Sequence, residues 1–205
     1  MADLFENPLG TDGFEFVEFT SPEPEKLEAL FTQLGFTPVA RHKTKDIVRF
    51  KQGDITFLVN REETGQAAEF RKAHGPSANA MAFRVSDAKT AYADALARGA
   101  ESFGEGIWTD GETVPAIKGI GGSVLYLVDT YHGETIYDDA FEPIPGAEDT
   151  GGAGLEVLDH LTHNVHHGNM DTWAGFYEDV FNFREIRYFD IKGQHTGLLS
   201  RAMTG

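Results

Sequence analysis

An α+β fold built from repeated βαβββ modules is predicted by two features of the 205-residue chain. The same order of strand, helix, helix-stopping residue and further strands recurs three times, and such internal repetition sets the architecture before any single element does. Sixteen Phe in this length favour β-rich packing around an enclosed interior. Together they predict one complete two-module domain over residues 10–140, a linker over 141–154, and the first module of a second domain over 155–205.

The first module opens with the alternating run Phe14, Phe16, Glu18, Thr20, which has the two-residue period of a strand. Ser21-Pro22-Glu23-Pro24 then supplies a helix start, with Leu27, Leu30, Phe31 and Leu34 at helical spacing and Gly35 as the stop. Two short strands follow, Ile47–Lys51 and Ile55–Asn60, joined by a Gln52-Gly53-Asp54 turn. The second module places a strand at Ala80–Val85, a helix at Asp87–Arg98 capped near Ser86 and ended by Gly99, and strands at Thr113–Ile117 and Val124–Asp129. The run Gly119-Ile120-Gly121-Gly122 lacks the Lys-Ser/Thr of a phosphate loop and precedes a strand, so it reads as a turn.

Residues 141–154, FEPIPGAEDTGGAG, combine Pro, Gly and acid as a linker does. The third module begins with a strand at Leu155–Val165. A helix bearing Trp173, Phe176, Tyr177 and Val180 follows, then Asn182-Phe183 in place of Gly35-Phe36. Strands at Arg187–Ile191 and Thr196–Met203 flank a Lys192-Gly193-Gln194 turn. Setting Gly53 against Gly193 aligns Asn60 with Ser200, and Glu18 falls against His160. The module without a mate is expected to expose an apolar sheet face, which favours association into a homo-oligomer.

Composition excludes several functions. Without Cys there are no disulfides, thiolate nucleophiles or Cys-ligated metals, a pattern suited to a reducing compartment. A formal charge of −16 repels phosphate backbones and anionic lipid, so no nucleic acid is expected as a partner. No apolar run is long enough for a membrane span and the first ten residues lack a secretory signal, so a cytoplasmic location is expected.

Four of the eight His fall in LDHLTHNVHH. On a strand, Leu158, His160, Thr162 and Asn164 share one face, and Asp159, Leu161, His163 and Val165 the other. His160 and His163 therefore cannot reach one metal, and His166-His167 read as an exposed turn. On the last strand Thr196, Leu198, Ser200 and Ala202 share a face. If the sheet curls, His160 and Thr162 meet Leu198 and Ser200 inside it, a metal-binding imidazole beside a hydroxyl and an apolar wall. The bland alternative for His160 is an imidazole satisfied by a backbone carbonyl. Trp108, Asp110 and Glu112 form no acid/base pair, and residues 1–140 offer no His matching His160, so that domain is expected to hold no metal.

Six segments, GFEFVEF, HGPSANAMAFRV, PAIKGIGGSVLYLVD, DHLTHNV, FNFREIRYFDIKG and TGLLSRAM, resemble in this order the N-terminal part of bacterial 4-hydroxyphenylpyruvate dioxygenases, from about Asn7 to Gly205. That family lies in the vicinal-oxygen-chelate (glyoxalase-like) superfamily, whose folds use βαβββ modules. The resemblance implies an Fe(II) enzyme of tyrosine and phenylalanine catabolism that converts 4-hydroxyphenylpyruvate and O₂ to homogentisate and CO₂. It implies iron held by two His and one Glu, with open positions for the 2-oxo acid and O₂. The resemblance makes His160 the first ligand and puts Thr162, Leu198 and Ser200 on the substrate pocket. The second His and the Glu lie in the family's C-terminal half, so these 205 residues alone are expected not to turn over. Alternatives are a hydroxymandelate synthase, with the same substrate and iron, and a non-enzymatic binding or oligomerising fragment.

Overall fold

The computed structural model describes residues 6–107, 113–193 and 196–205. Trp108, Asp110 and Glu112 lie outside these. The first module comprises β1 (Thr11–Thr20), α1 (Pro24–Gln33), β2 (Thr37–His42), β3 (Ile47–Gln52) and β4 (Ile55–Asn60). After α2 (Gly65–His74) come β5 (Ser77–Val85), α3 (Ala88–Ala97), β6 (Ser102–Ile107), β7 (Thr113–Lys118) and β8 (Val124–Val128). A short α4 (Ile136–Ala140) and β9 (Phe141–Pro143) follow, then α5 (Met170–Phe181), β10 (Arg184–Lys192) and β11 (Gly197–Thr204).

Nine strands form one sheet in the order β6-β7-β8-β5-β1-β4-β3-β2-β9. Each of the first two modules contributes its first strand, its last, the middle one and then the second, in that spatial order. β1 pairs with β4 in parallel and β5 with β8 in parallel, while β1 and β5 join the halves in antiparallel register through pairs such as Val17↔Met81. The predicted α+β module architecture is therefore present. The sequence reading omitted β2, α2 and β6. Pro38 in β2 and the Gly-rich β6 weaken the strand pattern, and α2 has only Ala67 fully buried. The expected linker begins with structure, because β9 adds to the edge of β2 through Ala40↔Pro143 and His42↔Phe141.

The core lies on both faces of the sheet. On the helix-covered face Phe31 of α1 packs with Phe36, Val48 and Phe50, and Ala91 of α3 with Phe83, Leu125 and Leu127. The opposite, concave face holds Phe16, Ala40, Ile47, Leu58 and Ala82. There Ile136, Tyr137 and Ala140 of α4, with Phe141, lie over it and exclude water, and the Arg49 guanidinium stacks 3.5 Å from the Tyr137 ring centroid.

The predicted strand Leu155–Val165 is not one: residues 155–166 pair with nothing in a sheet. β1, its counterpart, is held by β4, the third strand after its helix. After α5 the described residues supply only two strands, so this segment has no parallel partner, and a lone extended chain leaves its ladder donors to water.

The module alignment also changes. In module 1, Pro38↔Phe50 and Ala40↔Arg49 pair with Val39 bulged between them. In module 3, Glu185↔Met203 and Arg187↔Ala202 pair with Ile186 bulged. Module 2 repeats this with Ser102↔Ile117, Gly104↔Ala116 and Phe103 bulged. The residues that end the helices, Gly35 (φ +93), Gly99 (φ +101) and Asn182 (φ +58), precede each bulge at the same spacing. β10–β11 thus corresponds to β2–β3, and Ser200 matches Ile47. Matching Gly193 with Gly53 equated two different turns: Gly53 takes the left-handed conformation (φ +58), whereas Gly193 closes its turn through its N–H to the Thr196 carbonyl without a positive φ.

Candidate functional site

His160 sits in the unpaired segment with a largely exposed side chain, 77% accessible. Its Nδ1 lies 2.7 Å from Asp159 Oδ2, a distance at which the Nδ1–H donates to the carboxylate. That tautomer leaves the Nε2 lone pair directed elsewhere, which is how a carboxylate orients a metal-binding imidazole. A single exposed imidazole is chemically suited to be one ligand of a divalent metal. Among the described residues no group of three or more His, Asp or Glu could hold an ion.

His163 behaves differently. Its ring stacks on Tyr177 of α5 (centroids 5.7 Å, 28° between planes), and Tyr177 Oη lies 3.0 Å from its Nε2. Burial raises the Tyr177 pKa, keeping the phenol protonated to donate, and burial of the His163 ring lowers its pKa, keeping Nε2 free to accept. Tyr177 in turn stacks on Phe183 and joins the core with Val180 and Phe181. Leu158 and Leu161 pack on the same core. The segment thus turns Leu158 and Leu161 inward and lays the His163 ring against Tyr177, while His160 and Thr162 remain exposed without such a contact. Strict alternation would have sent Leu158 outward with His160. His166 and His167 are exposed in a turn, as expected.

On β11, Arg201 ion-pairs with Asp171 of α5 and Met203 packs on the core, so odd-numbered side chains face the helix. Leu198 and Ser200 therefore share the opposite face. Ile47, the counterpart of Ser200, faces the concave core of the first domain. The strand carrying Leu198 and Ser200 pairs with β10 through Ile191↔Leu198 and Phe189↔Ser200. Leu198, Ile191 and Ile186 are 56%, 56% and 61% exposed.

In the first domain stands Glu18, which the sequence reading set against His160. Glu18 is buried on the concave face and accepts hydrogen bonds from Asn60 Nδ2 (3.0 Å) and Asn79 Nδ2 (2.6 Å). Burial pushes its pKa up, against the smaller pull of these amides and of Lys45. Asn79 is held by Gln66 of α2, whose Nε2 donates to the Asn79 carbonyl. The sequence singled out Glu18 and Asn60 but missed Asn79, which sits at a β-bulge between the Glu18↔Ala80 and Phe19↔Ala78 pairs.

Two such modules paired in one nine-stranded sheet, followed by a further helix and hairpin, define a glyoxalase-like α+β fold. The chain belongs to the hydroxyphenylpyruvate dioxygenase family, whose N-terminal-domain model matches residues 5–142. It is 52% identical over 202 residues to a 4-hydroxyphenylpyruvate dioxygenase of Pseudomonas aeruginosa, covering 97% of this chain and 57% of that protein. It is 54% identical over 204 residues to hemolysin VllY of Vibrio vulnificus, with the same coverages. Among solved structures, a xylose isomerase-like TIM barrel/4-hydroxyphenylpyruvate dioxygenase fusion protein superposes with a TM-score of 0.80 at 33% identity, over 98% of this chain and 32% of that one. The chain spans little more than half the length of these curated relatives.

Proposed function

We propose that residues 10–140 form the non-metal domain of an Fe(II)-dependent 4-hydroxyphenylpyruvate dioxygenase, that 141–154 connect, and that 155–205 begin its catalytic domain. The observation that carries this reading is His160, in DHLTHNV, with Nδ1 engaged by Asp159 and Nε2 left for a metal. His160 would contribute one ligand, and Fe(II) when bound would supply the activation of O₂ beside a chelated 2-oxo acid. Thr162 and Ser200 would face the substrate, and Leu198 would give an apolar wall to the ring. The chain's own work is to orient one imidazole and to shield one side of the ring from water.

One imidazole retains Fe(II) weakly, because divalent iron is low in the affinity order and is kept by several ligands in fixed geometry. The 205 residues alone are accordingly expected to consume no O₂ with 4-hydroxyphenylpyruvate, Fe(II) and ascorbate. In a longer chain carrying all three ligands, turnover to homogentisate is expected and His160→Ala should abolish it. Homogentisate from residues 1–205 at the longer chain's rate would overturn the assignment of ligands. The exposed apolar residues of β10–β11 support self-association, readable by light scattering, and the acidic, Cys-free composition supports a cytoplasmic location.

A further inference from the structure

The segment bearing His160 leaves the first domain and reaches α5 without any sheet to fix it, yet it is fastened at both ends. At the first end Gln52, fully buried at the end of β3, donates through Nε2 to the Leu34 carbonyl at 3.0 Å. Its Oε1 accepts from the backbone N–H of Ala153 (2.6 Å) and of Leu155 (3.3 Å). Beside it, Asp54 N–H donates to the Glu156 carbonyl at 2.8 Å. A Cβ at Gly35 would fall 2.6 Å from Ala153 N, so the helix stop of α1 also lies against the segment. At the second end stands the His163–Tyr177 pair, 3.0 Å apart. Between them lie Val157 to Thr162, with His160 in the exposed middle.

We propose that Gln52 and His163 are positioning residues: together they tension the strap that presents His160. The proposal rests on His160 being a metal ligand and extends it by naming what aims the ligand. Gln52 suits the task because one amide bridges two elements in a fixed way, a carbonyl of the first domain on its N–H side and two strap donors on its oxygen. His163 suits it because a protonated Tyr177, anchored among Phe181 and Phe183, offers a fixed donor. Neither residue touches the reacting atoms. Each sets where the strap begins and ends, which matters because small displacements of a catalytic group are costly in rate.

The test uses the 205-residue chain, isotopically labelled, with amide hydrogen exchange and ¹⁵N relaxation read residue by residue. His163→Leu should lower the heteronuclear NOE of residues 160–165 and speed their exchange about tenfold or more, with β3–β4 amides unchanged. His163→Gln, whose oxygen still accepts from Tyr177, should restore the wild-type values. Gln52→Met should release Ala153 and Leu155 in the same way. Gln52→Glu, which keeps the strap's acceptor oxygen and loses only the donor to Leu34, should leave Ala153 and Leu155 as protected as in wild type, and Ala153→Pro, which removes the strap's donor, covers the case in which Gln52→Met does not fold. A strap as rigid in His163→Leu and Ala153→Pro as in wild type would overturn the proposal, as would failure of His163→Gln to rescue. A separate arm adds Co(II) and follows the His160 Cε1–H resonance. Selective paramagnetic broadening there supports the ligand assignment, and its absence with intact anchors defeats that assignment alone.

Discussion

The hairpins β2–β3 and β10–β11 have the same local geometry and opposite surroundings. Each follows a helix ended by a positive-φ residue, each carries its bulge at the same spacing, at Val39 and Ile186, and each pairs across that bulge in the same register. Yet β3 is largely buried, while most of β10 is exposed. The difference lies in partners. β2–β3 is flanked by β9 and β4, which complete a nine-stranded sheet, whereas β10–β11 forms a two-stranded sheet of its own. A hairpin's register and bulge are thus encoded within its own module, and its burial depends on strands further away in sequence.

The largest effect expected from this contrast is at matched core positions. Phe50, 1% exposed under α1, should cost about 3–5 kcal/mol when changed to Ala. Met203, its half-buried counterpart, should cost about 1 kcal/mol, because less area leaves water. Urea denaturation of both variants measures the gap, and equal costs would mean that β11 is as enclosed as β3.

A smaller effect separates the helix stops. Gly35→Ala puts a side chain at φ +93 and against Ala153, so a loss of about 1–2 kcal/mol is expected from backbone strain alone. Asn182→Ala sits at φ +58, loses the bond from Asn182 Nδ2 to the Glu6 carbonyl, and should disturb only α5 and the hairpin. A Gly35→Ala chain whose 153–156 amides stay protected would contradict the close approach seen here.

Smaller still is a pair of pH effects with opposite sign. The folded state raises the Glu18 pKa, so the fold holds that proton more tightly than the unfolded chain does. The associated stability is present below the ordinary value of 4.5 and is lost as pH rises through the folded value. Glu18→Gln should therefore raise Tm at pH 7, by about 2–4 °C per kcal/mol recovered, and less at pH 4. His163 is lowered, so its contribution is full above 6.5 and fades as pH falls below that. His163→Gln should flatten thermal stability between pH 7 and 5, and an unaltered slope would show that burial of this ring is not felt.

Much of the fold was legible because the repeat is written in short-range signals. The Phe14–Thr20 alternation, the Leu27–Leu34 helix spacing and the glycine stops at 35 and 99 each act within a few residues. The third module's first strand was misread for the opposite reason: 155–165 has a strand's composition, and strandhood depends on a partner that sequence spacing cannot supply. His160 and His163 do have different surroundings, but strand alternation was the wrong ground for separating them, since 155–166 is not a strand; Leu198 and Ser200 share a face because β11 is one. Gln52 was not legible, since a lone glutamine in a turn gives no sign that it will bridge Leu34 to Ala153, residues far from it along the chain. Tyr177 was visible only as a core aromatic, because its hydroxyl partner lies across a turn.

The central claim, that the β10–β11 hairpin forms within its own module while residues 155–166 join no sheet, is tested most directly by amide hydrogen exchange of the 205-residue chain. Protected amides are expected at alternate residues of β10 on either side of the Ile186 bulge, where the antiparallel ladder with β11 bonds them, with residues 157–162 exchanging faster than these. Protection throughout 157–162, or none in β10, would contradict it.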